Sequence, residues 1–309
     1  MSELAYKRTN VYETADERKL KEIFDYAEGY RAFIDAAKTE REACDYVAEE
    51  AEKRGYKPFK FGAKLKAGDR VYYNNRGKNI YLIKVGTADI ARDGIRIVAS
   101  HIDSPRVDLK QVPLYESDGV ALAKTHYYGG IRIYQWVTIP MELHGVVALT
   151  DGRTVTVNIG GDDGDPKLVI TDLLPHLGQE QNKKTLAEGI MGEQLNLLLG
   201  SKTVSGEGSD RVKLSVMQLL NEKYGITEDD FTSAELEAVP AVKATEIGLD
   251  HSMIGAYGHD DRVCGYSALR ALLDMDKTPV KTSVCVLADK EEIGSDGVTG
   301  MQSAAFDTF

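Results

Sequence analysis

Three short clusters of acidic and imidazole side chains lie at the ends of segments that the sequence predicts to be strands or helices. The segment "SHIDS" carries His101 and Asp103, "GHDDR" carries Asp260, and "DKEEIGS" carries Glu291 and Glu292. Open α/β sheets bind their ligands beyond the carboxyl ends of the strands. We therefore expect the three clusters to converge on one site.

The residue types in these clusters suit a divalent metal ion such as zinc. Zinc accepts nitrogen from imidazole and oxygen from carboxylates, and it lowers the pKa of bound water to about 7. A metal also explains the adjacent glutamates, because one can ligate while its neighbour acts as general base and then as proton donor. Without a cation the two carboxylates would repel each other, and one would take up a proton.

The spacing of His101 and Asp103 has a rationale of its own. Residues i and i+2 of an extended segment lie on the same face. Asp103 is therefore predicted to orient the imidazole through the ring nitrogen that does not face the metal.

Each cluster alone also has a simpler interpretation. Asp260 or Asp261, placed before a predicted helix, can serve as an N-cap. The pair Glu291–Glu292 can be part of a solvated turn. The joint order of the clusters and their flanking strands favour a common site.

The elements that position these clusters have mixed α and β character. Apolar residues recur every three or four positions from Ala15 to Arg54, which predicts two amphipathic helices, the second ending at Gly55. The segments "RVYYNNRGKNIYLIKVG" and "GIRIVASHIDS" predict a hairpin and a further strand. After Asp250 a helix is predicted in "DRVCGYSALRALLDM", a strand in "KTSVCVLAD", and the start of another helix after Gly297.

The middle of the chain has a different pattern of apolar and polar residues. From about Val107 apolar and polar residues alternate, with a turn signal at Asp151–Gly152, as in an antiparallel β module. Residues 178–210 are polar and glycine-rich and predict one long loop, followed by a helix in "DRVKLSVMQLLNEKYG". We interpret residues 107–245 as a β-rich insertion in a discontinuous α/β domain formed by residues 1–106 and 246–309.

Composition excludes several classes of partner. The chain has 38 Lys and Arg against 49 Asp and Glu, a formal charge of -11, which disfavours nucleic acid and anionic membranes. No apolar run is long enough to span a bilayer, and the charged amino terminus lacks the apolar core of a secretory signal, so a cytoplasmic protein is expected. Cys44, Cys264 and Cys285 are widely spaced and are predicted to be buried thiols.

Taken together, "VASHIDSPRVDLK", "YGHDDRVCGYSALRAL" and "LADKEEIGS" resemble the metal-site segments of the aspartyl aminopeptidase family, M18, of dinuclear zinc aminopeptidases. The resemblance extends to "YYGGIRIYQW" and "LLPHLGQEQ", so five segments match in order. It implies a mixed-sheet α/β catalytic domain of the phosphorylase/hydrolase-like type, interrupted by a β-rich dimerisation domain.

The resemblance also implies a role for each site residue. His101 would ligate one of two divalent metal ions, expected to be zinc, Asp260 would bridge both, and Glu292 would ligate the second. Glu291 would be the general base that activates water, and Asp103 the partner of His101. The implied reaction is removal of amino-terminal residues, Asp or Glu by preference, from peptides.

Further implications concern assembly. In the family a histidine of the insertion reaches the active site of the partner subunit, and His176 in "LLPHLGQ" matches it, although a loop histidine without a role is an equal alternative. The implied assembly is a dodecamer built from dimers. Family members supply a further aspartate and histidine ligand after the glutamate pair, so we expect these beyond Phe309 of a longer polypeptide, or else a truncated chain with little activity.

Two other functions remain open at this point. The core ligands alone do not fix the substrate, so another dinuclear zinc hydrolase of the same clan is possible. A non-catalytic subunit that self-associates through the β-rich insertion is the alternative from a different class.

Overall fold

A computed structural model describes residues 4–206 and 208–308 of the chain, which form an α/β fold with two main sheets. The helices are α1 (Val11–Thr14), α2 (Glu17–Ala36), α3 (Glu40–Lys53), α4 (Ile90–Asp93), α5 (Arg211–Tyr224), α6 (His259–Leu273) and α7 (Ala304–Thr308). The strands are β1 (Lys57–Pro58), β2 (Arg70–Asn75), β3 (Asn79–Lys84), β4 (Arg96–His101), β5 (Arg106–Ser117), β6 (Val120–Tyr128), β7 (Pro140–Ala148), β8 (Thr154–Ile159), β9 (Leu168–Ile170), β10 (Leu197–Gly200), β11 (Ala234–Pro240), β12 (Thr245–Ile247), β13 (Met253–Gly255) and β14 (Ser283–Ala288).

The first sheet has five strands in the order β1-β2-β3-β14-β4 and combines segments from both ends of the sequence. Strand β14 runs antiparallel to β3 and parallel to β4, and all six of its residues are buried. Ala288 pairs with His101. The carboxyl ends of β4 and β14 therefore meet at one edge of the sheet.

Local sequence explains how this sheet and its helices begin and end. Arg76 and Gly77 between β2 and β3 have φ angles of 61° and 72°, as a type I′ hairpin turn requires. A capping box of Thr39 and Glu42 starts α3, and Gly55, at φ 80°, follows its last turn. Helices α2, α3 and α6 bury an apolar core against the sheet, which includes Phe33, Ile34, Val47, Leu269 and Leu287.

The second sheet is antiparallel and closes on itself. Strand β11 pairs with both β5 and β7, so the order β11-β5-β6-β10-β9-β7 forms a barrel, and β8 adds to β7. Closure leaves few free edges, which explains how the sheet is stable without helices on both faces. The α/β fold class is thus confirmed, while the exact domain bounds stay a prediction.

The structure corrects two details of the sequence analysis. Leu197–Gly200 is a barrel strand rather than part of an uninterrupted loop over residues 178–210, because its short apolar run pairs with β6 and β9. Cys44 and Cys285 are buried thiols, but Cys264 is exposed because it lies on the outer side of α6. Among the described residues, no helix is both long and apolar enough to cross a bilayer.

A buried histidine joins the barrel to the α/β domain. Nδ1 of His144, on β7, lies 2.7 Å from a carboxylate oxygen of Glu42 on α3, and its Nε2 lies 3.4 Å from Glu142. The ammonium of Lys38 lies 3.9 Å from the same Glu142 oxygen. Burial alone would lower the pKa of His144, but Glu142 and Glu42 outweigh it and raise the pKa from 6.5 to about 9. The charged imidazolium therefore stabilises this contact.

We predict that His144→Gln reduces stability in a pH-dependent way. Because the pKa is raised on folding, the imidazolium's contribution is fully present below pH 6.5 and is lost as the pH rises through about 9. The difference in the free energy of unfolding between the parent and the variant should be on the order of 2–3 kcal/mol at pH 6 and shrink by pH 10. Urea unfolding at several pH values measures it, with exposed His126→Gln as control. A difference that does not change with pH contradicts the prediction.

Candidate metal site

The three clusters singled out from the sequence meet at one place in the fold. His101 is the last residue of β4, Glu291 and Glu292 form a 3-10 turn three residues after β14, and Asp260 lies in the first turn of α6. One ligand atom from each of His101, Asp260 and Glu292 lies within 4.8 Å of the others. This spacing allows all three donors to reach one cation.

The backbone after β14 explains how the two glutamates are delivered. Lys290 has φ 72° and Gly294 has φ 89°, and the amide of Ser295 donates to the carbonyl of Lys290 at 2.7 Å. These two left-handed residues and this hydrogen bond reverse the direction of the chain directly after β14. Both carboxylates are therefore held at the strand end, next to the end of β4.

Asp103 lies beneath the donors and is completely buried. Its carboxylate oxygens lie 3.2 Å from Nδ1 of His101, 2.7 Å from the hydroxyl of Tyr128, and 3.2 Å from each of the amides of Glu291 and Glu292. Burial alone would raise the pKa of Asp103, but the hydrogen bonds from His101, Tyr128 and the Glu292 amide lower it below its ordinary value. The carboxylate is thus ionised and holds His101 and the glutamate turn together.

The imidazole of His101 is oriented by Asp103, whose carbonyl oxygen lies 3.0 Å and whose Oδ1 lies 3.2 Å from Nδ1. With Nδ1 directed at Asp103, its Nε2 lies 3.3 Å from Asp260 and 3.7 Å from Glu291. Burial would lower the pKa of His101, but Asp103 and then Glu291 outweigh it and raise the pKa to about 9. Burial, with the neighbouring carboxylates, raises the pKa of Glu292. The raised pKa of His101 reflects the carboxylates around it, which a cation would also attract.

Two serines hold the segment that carries Asp260. The hydroxyl of Ser104 donates to the Asp260 carbonyl at 2.8 Å, and the hydroxyl of Ser100 donates to the Asp261 carboxylate at 2.7 Å. The peptide bond between Asp260 and Asp261 is cis, and regular helical angles begin only after Asp261. The Asp260 side chain is 86% exposed and is free to ligate.

Two residues of the barrel contact the site although sequence reasoning gave them no role in it. Tyr128 ends β6 and donates to Asp103, and Gly129 follows it at φ 71°. A Cβ atom at position 129 would lie 3.1 Å from Cβ and Oε2 of Glu292. The segment "YYGG" was part of the family resemblance, but neither its tyrosine nor its glycine was linked to the donors.

A buried cluster of charged side chains adjoins the site at the junction of barrel and α/β domain. Arg106 of β5 contacts Glu40 of α3 at 3.2 Å and Glu237 of β11 at 3.2 Å, and its guanidinium lies 3.8 Å from the ring centroid of Tyr128. Lys78 contacts Glu40 at 2.8 Å. Burial would raise the pKa of Glu40, but Arg106 and Lys78 outweigh it and hold the pKa below its ordinary value. Burial raises the pKa of Glu237 well above its ordinary range.

The remaining predicted site residue lies apart from the donors. His176 lies in an exposed turn between β9 and β10. Within the described residues of this chain it is not part of the group of metal-donor atoms. Its suggested action in a partner subunit stays a prediction.

The donor set fits a divalent metal. One imidazole nitrogen and two carboxylates match the ligands that zinc takes in hydrolytic sites, and the imidazole already has the carboxylate partner that such ligands use. An α/β sheet that gathers these donors at its strand ends has the arrangement in which α/β proteins bind their ligands.

Comparison with known proteins identifies the family. Residues 33–309 match the family model described as aminopeptidase I zinc metalloprotease (M18). The probable M18 family aminopeptidase 1 of Clostridium acetobutylicum is 46% identical over 311 residues, which cover 99% of this chain and 66% of the relative. The chain therefore belongs to the M18 family, as the resemblance implied.

Solved structures agree with this assignment. The crystal structure of an M18 family aminopeptidase from Thermotoga maritima superposes with a TM-score of 0.91 at 43% identity and covers 98% of this chain and 65% of that one. Aminopeptidase I from Clostridium acetobutylicum gives a TM-score of 0.90 at 44% identity, covering 98% and 67%. The chain spans about two thirds of the length of these relatives.

Proposed function

We propose that the chain forms the metal-binding part of a metalloaminopeptidase that removes amino-terminal residues from peptides. The observation that carries this proposal is the convergence of His101, Asp260 and Glu292 within 4.8 Å, with Glu291 beside them. Membership of a zinc metalloprotease family supports the same conclusion.

The proposed roles follow from position. His101, Asp260 and Glu292 would hold the divalent metal, and Asp103 would keep His101 and the glutamate turn in place. A bound divalent ion supplies Lewis acidity, which polarises a scissile carbonyl and makes water a nucleophile near neutral pH.

Glu291 is the candidate general base. Its side chain is 59% exposed, so it is accessible to substrate, and one carboxylate oxygen faces the donor cluster at 3.7 Å from His101 Nε2. It would take a proton from the attacking water and pass it to the leaving amine. The peptide bond to the amino-terminal residue is then broken.

The finer features of the proposal come from the family resemblance. They are two metal ions, expected to be zinc, a preference for amino-terminal Asp or Glu, and a cytoplasmic location. Self-association through the barrel, with His176 reaching a partner, is supported by exposed large apolar side chains in and beside its loops, namely Leu173, Leu174, Leu177, Leu186 and Leu219.

Reporter substrates test the proposed specificity. We expect amino-terminal Asp and Glu amides to be cleaved with a higher kcat/KM than the Leu amide in the presence of zinc. The test measures initial rates on the three reporters and repeats them after chelation, which should abolish cleavage. Faster cleavage of the Leu amide would favour another zinc hydrolase of the same clan.

A self-associating subunit without catalysis is the alternative from a different class. It predicts oligomers that bind no zinc and cleave none of the reporters. Bound zinc that is lost on His101→Ala, together with cleavage that depends on Glu291, excludes this alternative.

A further inference from the structure

We propose that the Tyr128–Gly129 turn at the end of β6 is a positioning element for the metal ligands, so that the inserted barrel completes the metal site. This inference rests on the proposed function, because it takes the three donors to be metal ligands. Neither residue contacts the proposed cation directly. Both would act through Asp103 and Glu292.

The first contact is the hydrogen bond from Tyr128 to Asp103. The hydroxyl lies 2.7 Å from Oδ2 of Asp103, the shortest of the side-chain and amide contacts described for that carboxylate. The other oxygen, Oδ1, faces His101 Nδ1. Fixing Oδ2 therefore fixes the plane of the carboxylate, which sets the direction of the imidazole together with the Asp103 carbonyl, 3.0 Å from Nδ1.

The tyrosine is itself held in place. Its ring is buried under the guanidinium of Arg106 at 3.8 Å, and Arg106 is anchored by Glu40 and Glu237 from two other elements. This packing places the hydroxyl against Asp103. The contacts of Arg106 at the junction of the barrel and the α/β domain therefore help to position Asp103 through Tyr128.

The second contact is the close approach of Gly129 to Glu292. Because a Cβ at position 129 would lie 3.1 Å from both Cβ and Oε2 of Glu292, a larger residue would push this ligand by a few tenths of an ångström. The positive φ of 71° also favours glycine. The Tyr128–Gly129 turn therefore contacts Glu292 itself and Asp103, the residue that orients His101.

The test is cobalt binding by Tyr128→Phe, Gly129→Ala and the control Tyr127→Phe. Tyr127 is the neighbouring residue of β6, is exposed, and points to the other face of the strand. Loss of an orienting partner weakens metal binding about 10–100-fold. We expect that increase in the cobalt dissociation constant for both test variants, with a changed visible spectrum of the bound cobalt, and no change for Tyr127→Phe. Thermal melting without metal reports any loss of folding.

A double substitution separates positioning from a general structural effect. If Tyr128 acts through Asp103, adding Tyr128→Phe to Asp103→Asn should weaken cobalt binding by less than twofold more. Full additivity, or parental affinity and spectrum in Tyr128→Phe, overturns the inference. If Tyr128→Phe does not fold, Gly129→Ala decides: weaker binding supports the inference and parental binding overturns it.

The outcomes distinguish this inference from the proposed function. A parent chain that binds cobalt and loses it on His101→Ala, but not on Tyr128→Phe, overturns the inference alone. A parent chain that binds no cobalt, or binds it equally well after His101→Ala, overturns the proposed function and the inference with it.

Discussion

Replacing Glu291 with glutamine is expected to lower the rate of amino-terminal cleavage by about 10²–10⁴-fold, the usual contribution of a general acid–base residue. Glutamine keeps the size of the side chain but cannot accept the proton from water. Because His101, Asp260 and Glu292 are unchanged, the metal content of the variant should equal that of the parent. Single-turnover rates on an amino-terminal reporter, with zinc measured on the same samples, test both expectations.

The matched control is Glu49→Gln on the exposed side of α3, which removes the same charge far from the strand ends. It should leave rate and zinc content unchanged. A Glu291→Gln variant that cleaves as fast as the parent removes Glu291 from the mechanism. One that loses its zinc makes Glu291 a ligand rather than a base.

Replacing Arg106 with methionine is expected to cost about 3–5 kcal/mol of folding stability, because it removes one of the two cations that contact the buried, ionised Glu40 and leaves the buried Glu237 without its guanidinium partner. Glu40 and Glu237 both contact Arg106 and are buried. Lys78 would remain as the nearest cation to Glu40. Equilibrium unfolding in urea measures the loss, and Arg92→Met, whose side chain is 77% exposed, is the control, expected within about 0.5 kcal/mol of the parent.

The acid dependence of the Arg106 variant gives a second check. The pKa of Glu40 is held below 4.5 by Arg106 and Lys78 against the effect of burial, so its contribution is present above that pH and is lost as the pH falls. The stability difference between parent and Arg106→Met should therefore shrink below about pH 4.5. A loss under 1 kcal/mol at pH 7 would show that the cluster adds little to stability.

Much of the fold could be predicted because its signals are local. The helices between Ala15 and Arg54, the hairpin at Arg76–Gly77 and the strand before the glutamate pair each follow from periodicity or turn chemistry within a few residues. Strand β10 was missed because a four-residue apolar run gives no period to detect. Residues Leu197–Gly200 form a strand because they pair with β6 and β9.

Some residues of the candidate site could be predicted from the sequence and others could not. Its donors could be singled out because three such clusters occur together beside predicted strands, and the order of the segments matched a known family. Tyr128 and Gly129 could not, since their contacts with Asp103 and Glu292 join positions far apart in the chain. The charged cluster around Arg106 is equally non-local, and single charged residues in a sequence carry no sign of burial.

Anomalous diffraction at the zinc absorption edge, from crystals of the chain grown with zinc, tests the central claim most directly. The claim is that His101, Asp260 and Glu292 are gathered around a divalent cation. It predicts zinc density among these side chains, with Nε2 of His101 and an oxygen of each carboxylate each about 2.0–2.2 Å from a zinc peak. A map with no peak among these three side chains, or with zinc bound only elsewhere, would contradict it.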